Sequence, residues 1–203
     1  MRDRYEAAPT FDAFIASAQQ NKALWEMMYK LARVPQSFVD RVRALPGRRH
    51  LLVLNEDWCG DAVNTLPVLA KLATLAPAQV DLRVLGRDAN PDLMDGHLTG
   101  TSRSIPVVIL LDDDYVERGW WGPRPKELQA WALGPGRAVD KAERYREIRR
   151  WYARDRALST LEEVVGMMEG AVATSYQSPP SGGDAISYPL SAISSRDGGP
   201  AGR

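Results

Sequence analysis

Leu51-Leu52-Val53-Leu54-Asn55-Glu56-Asp57-Trp58-Cys59-Gly60-Asp61-Ala62-Val63 decides how this chain is read. The apolar residues 51–54 read as a buried strand, and the apolar run 63–75 reads as a helix. Cys59 therefore stands at the turn between them. The start of a helix offers unpaired N–H groups and the positive end of the helix dipole. Both stabilise a thiolate, the reactive form of sulfur, so the position predicts a reactive thiol. A dithiol redox motif would be Cys-x-x-Cys. Ala62 stands where the second cysteine belongs, and Cys59 is the only cysteine among 203 residues. An internal disulfide is impossible.

The bulk composition narrows the classes. Hydrophobic residues make up 44% of the chain, enough for a core, and Lys+Arg and Asp+Glu balance at 26 each. That balance gives no reason to expect nucleic acid or an anionic membrane as a partner. No apolar run approaches the roughly 20 residues that span a bilayer. Met1-Arg2-Asp3-Arg4-Tyr5-Glu6 carries no apolar signal core. One cysteine excludes a disulfide framework, and a cytoplasmic location is expected.

Working outward, residues 1–47 read as an N-terminal helical extension. Thr10 can cap a helix with Phe11, Phe14, Ile15 and Ala18 on one face. Leu24, Met28 and Leu31 continue at helical spacing until Pro35, and Phe38, Val42 and Leu45 suggest a third short helix. Residues 48–134 alternate strand and helix: strand 51–55, helix 61–76, strand 80–85, a helical turn at 91–97, strand 107–111, a hairpin partner over 115–121 and a helix over 125–133. Strands separated by helices imply parallel pairing, and the final hairpin is antiparallel, so an α/β fold with a mixed sheet flanked by helices is expected. Residues 135–173 read as C-terminal helices. Asp140-x-x-Glu143 and Thr160-x-x-Glu163 both have the form of capping boxes, and Tyr145, Ile148 and Tyr152 make an apolar stripe. In residues 174–203, sixteen of 30 are Gly, Pro or Ser, so that tail is expected to be disordered in isolation.

The strand–helix order around a turn cysteine resembles the thioredoxin fold. Trp58-Cys59-Gly60 matches the start of the Trp-Cys-Gly-Pro-Cys site of thioredoxins. Pro67 lies where thioredoxins carry the proline that kinks their active-site helix, and Ile105-Pro106 lies where they place a cis-proline loop facing the nucleophile. The resemblance covers residues 48–134. The Trp-Cys-Gly-Asp core, with Trp121-Gly122-Pro123-Arg124-Pro125, looks like a bacterial subgroup of thioredoxin family proteins of unassigned role. Thioredoxins also bury an aspartate six residues before the cysteine, and here that position is Val53. Losing both Ala62's and Val53's counterparts is consistent with a chain that never used the dithiol route. An engineered Cys-to-Ala change at position 62 is the alternative.

The resemblance implies a set of site residues. Cys59 is the nucleophile, and the backbone N–H groups of Gly60, Asp61 and Ala62 stabilise its anion. Pro106 and Ile105 orient a partner, whose extended backbone can pair with Ile105, and Trp58 shields the sulfur. Asp61 replaces the family's proline, where an acid opposes the helix dipole or serves as an ordinary first-turn acid. Arg103 and Arg124, and behind them Arg87, are candidates to hold the carboxylate of a low-molecular-weight thiol, against the plainer reading of surface or structural ion pairs. His50 and His97 have no partner at metal-ligand spacing, so neither a metal nor another cofactor is expected. Asp112-Asp113-Asp114 reads as a hairpin turn.

Two functions remain open at this point. One is a thiol-disulfide protein acting through a single cysteine, with protein disulfides or low-molecular-weight thiols as partners. The other is a redox-inactive binding or scaffold module, in which the added helices make a dimer or dock a partner. A Cys59 pKa well below the free value of about 8.5 favours the first, and a raised one the second.

Overall fold

A computed structural model describes residues 1–170, and the expectation for the 174–203 tail lies outside the described residues. Strand β1 (Arg49–Asn55) runs through the interior of a four-stranded sheet. Its position follows from its composition. Leu51–Leu54 are apolar on both faces of the pleat, and only an interior strand can cover both faces; all four are 0% exposed. β2 (Val80–Gly86) pairs parallel to β1 on one side. β3 (Val107–Leu111) pairs antiparallel on the other, and β4 (Glu117–Trp121) pairs antiparallel to β3. The order β2-β1-β3-β4 makes the mixed, thioredoxin-like sheet that was expected, but parallel pairing of strands separated by helices holds only for β1 and β2: β3, also reached through a helix, runs antiparallel to β1. β2 alternates between buried and half-buried residues as its sequence does.

The helix α1 (Arg2–Ala7) was not foreseen, and α2 (Phe11–Ser17), α3 (Lys22–Leu31) and α4 (Gln36–Arg43) follow it. Thr10 caps α2 by accepting from the Ala13 N–H. The segment between α1 and α2 covers the free edge of β2: the Val84 N–H donates to the Pro9 carbonyl at 2.9 Å, and the Arg83 guanidinium to the Ala8 carbonyl at 3.1 Å. Trp25 on α3 is fully buried, which is worth roughly 2–3 kcal/mol for a large apolar side chain. Its indole N–H donates to the Asp57 carbonyl at 2.9 Å, and the Asp57 carboxylate accepts the backbone N–H groups of Gln19 and Gln20. The N-terminal helices are thereby tied to the loop that presents Cys59.

Helix α5 (Gly60–Leu75) connects β1 to β2, with Cys59 as its N-cap residue and Pro67 inside it. The short α6 (Pro91–Asp95) precedes β3. α7 (Lys126–Leu133) follows β4, and α8 (Lys141–Asp155) and α9 (Leu158–Met168) close the described chain. Asp140 caps α8 as expected, accepting from the Ala142 and Glu143 N–H groups. Thr160 does not cap α9. That helix begins after Arg156 and Ala157, both in the left-handed region with φ of 54° and 62°, so Thr160 falls inside the first turn and is buried. Glu163 instead accepts the Trp121 indole at 2.6 Å and the Lys126 backbone N–H at 2.8 Å, fixing the end of β4 to α9 and to the start of α7.

The two histidines are structural. His50 Nδ1 meets Asp81 Oδ1 at 2.6 Å, and its ring stacks on Tyr115 with centroids 4.2 Å apart. His97 is buried, with Nδ1 2.7 Å from the Leu93 carbonyl and Nε2 3.0 Å from Glu117 Oε1. Both neighbours accept, and an imidazolium, which donates from both ring nitrogens, is the form that these two contacts favour. Burial alone would lower its pKa, but the Glu117 and Leu93 hydrogen bonds outweigh burial and the pKa is raised. A raised folded-state pKa stabilises the fold fully below the unfolded value of about 6.5, and that contribution is lost as pH rises through the folded value. We expect the urea midpoint of the protein to fall from pH 6 toward pH 9, and His97→Gln to flatten that fall. A slope unchanged in the variant would exclude His97 as its source.

Candidate functional site

Cys59 sits where β1 gives way to α5, and its Sγ faces the Ile105 carbonyl oxygen at 3.4 Å, to which the thiol donates. The Ile105–Pro106 peptide bond is cis, as is Gly122–Pro123. The site is closed: Cys59 is 5% exposed, Ile105 6% and Ala62 0%. Gly60 is exposed, and Trp58, at 44%, leaves much of its ring in solvent. The sequence expectation of a thiolate favoured by the helix terminus is corrected here. Burial pushes the Cys59 thiol up to about 11, with the Asp61 charge adding to it; the Ala62 and Asp61 backbone N–H groups and the Arg124 charge pull the other way and do not prevail. The helix-end argument is local, and desolvation of the charged form outweighs it. Val53 lies fully buried in the core and brings no carboxylate to the sulfur.

Asp61, the second residue of α5, does not point to solvent as a first-turn acid ordinarily does. Arg124 holds its carboxylate through two hydrogen bonds, Nε to Oδ1 at 2.9 Å and Nη2 to Oδ2 at 2.6 Å. The Tyr152 hydroxyl of α8 donates to Oδ1 at 3.1 Å, and Gln129 Oε1 of α7 accepts from Arg124 Nη1 at 3.0 Å. The two charged side chains are only 13% and 20% exposed. Burial, and after it the Asp61 charge against the hydroxyl, pushes the Tyr152 pKa well above the ordinary value. Arg124 reaches Asp61 because its loop packs against the Cys59-facing loop. Gly122 has φ +132°, and a Cβ there would overlap the Pro106 carbonyl oxygen, so glycine lets the two backbones touch.

Neither arginine proposed as a ligand for a thiol's carboxylate is vacant. Arg124 holds Asp61, and Arg103 holds Asp95 in a two-bond, half-exposed pair at 2.7 Å and 2.7 Å. Arg87 lies over the Trp58 ring at 5.1 Å and donates to the Arg103 carbonyl at 3.1 Å, bridging the Cys59 loop to the segment leading into β3. Trp120 packs edge-on against His97, and Trp121 is core. Asp112 Oδ1 accepts from the Asp114 and Val116 N–H groups, which closes the hairpin turn. Tyr152 and Gln129 were not singled out from sequence. Tyr152 was read only as one member of an apolar stripe, and no local signal sets its hydroxyl apart.

The family described as Thioredoxin matches residues 8–155, a span from just before α2 to the end of α8. No curated protein matches the chain. Among solved structures, a protein of unknown function from Pseudomonas aeruginosa is 21% identical, with a TM-score of 0.66 over 83% of this chain and 96% of that one. An HIV epitope-scaffold is 19% identical, also with a TM-score of 0.66, over 84% and 98%. At these identities the likeness is one of fold. Among the described residues, no helix is long and apolar enough to cross a membrane.

Proposed function

This chain belongs to the thioredoxin family, and on that premise we propose that it is a thiol-disulfide protein acting through Cys59 alone. The observation that carries the reading is the placement of Cys59 Sγ at the head of α5, 3.4 Å from the Ile105 carbonyl. An extended partner segment that donates an N–H to that carbonyl takes it from the thiol and brings its own sulfur to Cys59. The Cys59 proton passes to solvent. The thiolate attacks one sulfur of the partner disulfide, a new S–S bond forms and the old one breaks, and the departing thiolate takes up a proton. With Ala62 in the helix, nothing inside the chain resolves the mixed disulfide. An external thiolate attacks the partner's sulfur, and Cys59 leaves as thiolate. The partners this chemistry admits are protein disulfides and disulfides of low-molecular-weight thiols.

A thiol whose pKa is about 11 is roughly one part in 10,000 thiolate at pH 7, so exchange is slow without a docked partner. Mixing with oxidised glutathione and mass spectrometry tests this. One adduct at Cys59 is expected, released by a second thiol, with a rate that climbs about tenfold per pH unit between pH 7 and 10. The raised pKa also favours the second reading, a binding scaffold with an inert thiol. If Cys59 stays unmodified in the folded protein yet reacts once denatured, the scaffold replaces the exchange reading.

A further inference from the structure

We propose that the groove between α3, α5 and the turn joining α8 to α9 binds an alkyl carboxylate, with the apolar chain along α5 and the carboxylate held by Arg33 and Arg156. The proposal goes beyond the exchange reading and uses no chemistry at Cys59. The groove encloses about 260 Å³, close to the lower end of the range for small-molecule sites. Its walls are apolar: Met28 and Leu31 from α3, Val63 and Pro67 from α5, and Ala157 from the turn. Leu31 is 59% exposed, so a chain laid against it takes apolar surface out of water that the fold itself leaves wet. The polar lining selects the head group. Asn64 spends an amide N–H on the Gly60 carbonyl at 2.8 Å, and Tyr152 its hydroxyl on Asp61 at 3.1 Å. The remaining polar members are the cations Arg33 and Arg156, and among the described residues no acid lines the groove. Neither guanidinium forms an ion pair among the described residues. Arg33 donates through Nη1, to the Lys30 and Ala32 carbonyls at 3.0 and 2.9 Å. That leaves its Nε and Nη2, an edge able to meet both oxygens of a carboxylate in parallel hydrogen bonds. Arg156 ends α8 in the left-handed region, with φ of 54°, which fixes where its side chain leaves the turn. An apolar trough with two cations and no anion complements a chain with one negative end. One turn of an α-helix, about 10 Å wide and 5.4 Å long, fills roughly 400 Å³, so a single aliphatic chain suits this space better than a docked helix.

Calorimetric titration of the full chain with octanoate, decanoate and decanol, each kept below the concentration at which it self-associates, tests this. We expect one saturable site for decanoate, bound about four- to fifteenfold more tightly than octanoate, since each buried methylene is worth up to about fourfold. Decanol keeps the chain and loses the charge, and should bind at least about tenfold more weakly than decanoate. Both arginines are exposed, so their variants are expected to fold. Arg33→Gln and Arg156→Asn, the second chosen because asparagine tolerates a left-handed backbone, should each weaken decanoate about fivefold or more and leave the weak decanol binding unchanged. Labelling the methionine methyl groups places the site. The Met28 signal should move with decanoate, while that of Met94, fully buried and outside the groove, should stay. Decanol binding as tightly as decanoate, octanoate binding as tightly as decanoate, arginine variants without effect, or an unmoved Met28 signal would each overturn the proposal. So would a dimer in sedimentation that decanoate does not dissociate and that Leu31→Asp does, because a second copy of the chain would then cover the groove. Decanoate bound as expected, with Cys59 left unlabelled by oxidised glutathione, would sink the exchange reading alone; the reverse pair of results would sink this site alone.

Discussion

Gly122→Ala is expected to destabilise the protein by about 2–6 kcal/mol, the sum of a backbone and a packing cost. Two costs fall on one residue. Its φ of +132° lies in a region that side-chain-bearing residues avoid, at roughly 1–3 kcal/mol. The added Cβ would also overlap the Pro106 carbonyl oxygen and press on the Pro106 carbonyl carbon at 3.1 Å and Val107 Cα at 3.4 Å. These are backbone atoms at the head of β3, a strand buried along its whole length, and they cannot rotate aside as a side chain would. Overpacking of that kind costs about another 1–3 kcal/mol. Urea denaturation of Gly122→Ala beside Gly60→Ala separates this from a general intolerance of alanine, since a Cβ on Gly60 meets nothing within 4 Å. A Gly122→Ala protein within about 1 kcal/mol of wild type would mean that the two loops are not in the contact described.

The sheet was legible because its rule is local. Leu51–Leu54 are apolar at every position, and a strand apolar on both faces has nowhere to go but the interior of a sheet. The Cys59 turn was legible for the same reason, as the junction of a strand pattern and a helix pattern. Helix α1 was not, because its six residues are held by tertiary packing: Tyr5 meets His50 and Tyr115 edge-on at 5.0 Å and 5.5 Å. Thr160-x-x-Glu163 has the form of a cap, but two left-handed residues ahead of α9 set the helix start, and Glu163 serves β4. Both ionisable members of the part-buried pair at the start of α5 were named from sequence, Asp61 as a helix acid and Arg124 as a ligand arginine. Their pairing was hidden, since 63 residues separate them and only the packing of one loop on another joins them. The direction of the Cys59 pKa shift was not legible, because helix-end stabilisation is visible in a sequence and depth of burial is not.

Ala62→Cys is expected to give measurable dithiol reductase activity, at least about tenfold above the wild-type protein, whose own insulin reduction is expected to be close to nil. The missing step in the present chain is internal resolution. A sulfur at position 62 lies one helical turn from Cys59 on α5, where a second thiolate can attack the Cys59 half of the mixed disulfide, form an internal S–S bond and release the reduced partner. Two features of the site hold the gain down. Ala62 is 0% exposed, so the added sulfur must fit a filled space, at a cost of about 1–3 kcal/mol. Val53 places no carboxylate near the new thiol to take its proton, so the second step depends on solvent for that transfer. Activity should therefore rise with pH more steeply than in a protein that buries such an acid. Insulin turbidity with a regenerating thiol measures the gain, and mass spectrometry of the oxidised variant reports the internal bond as a loss of two hydrogens. If the variant folds and forms that bond but reduces insulin no faster than wild type, resolution is not the limiting step. The closed entrance around Cys59, Ile105 and Ala62 would then be what withholds the thiol from protein partners.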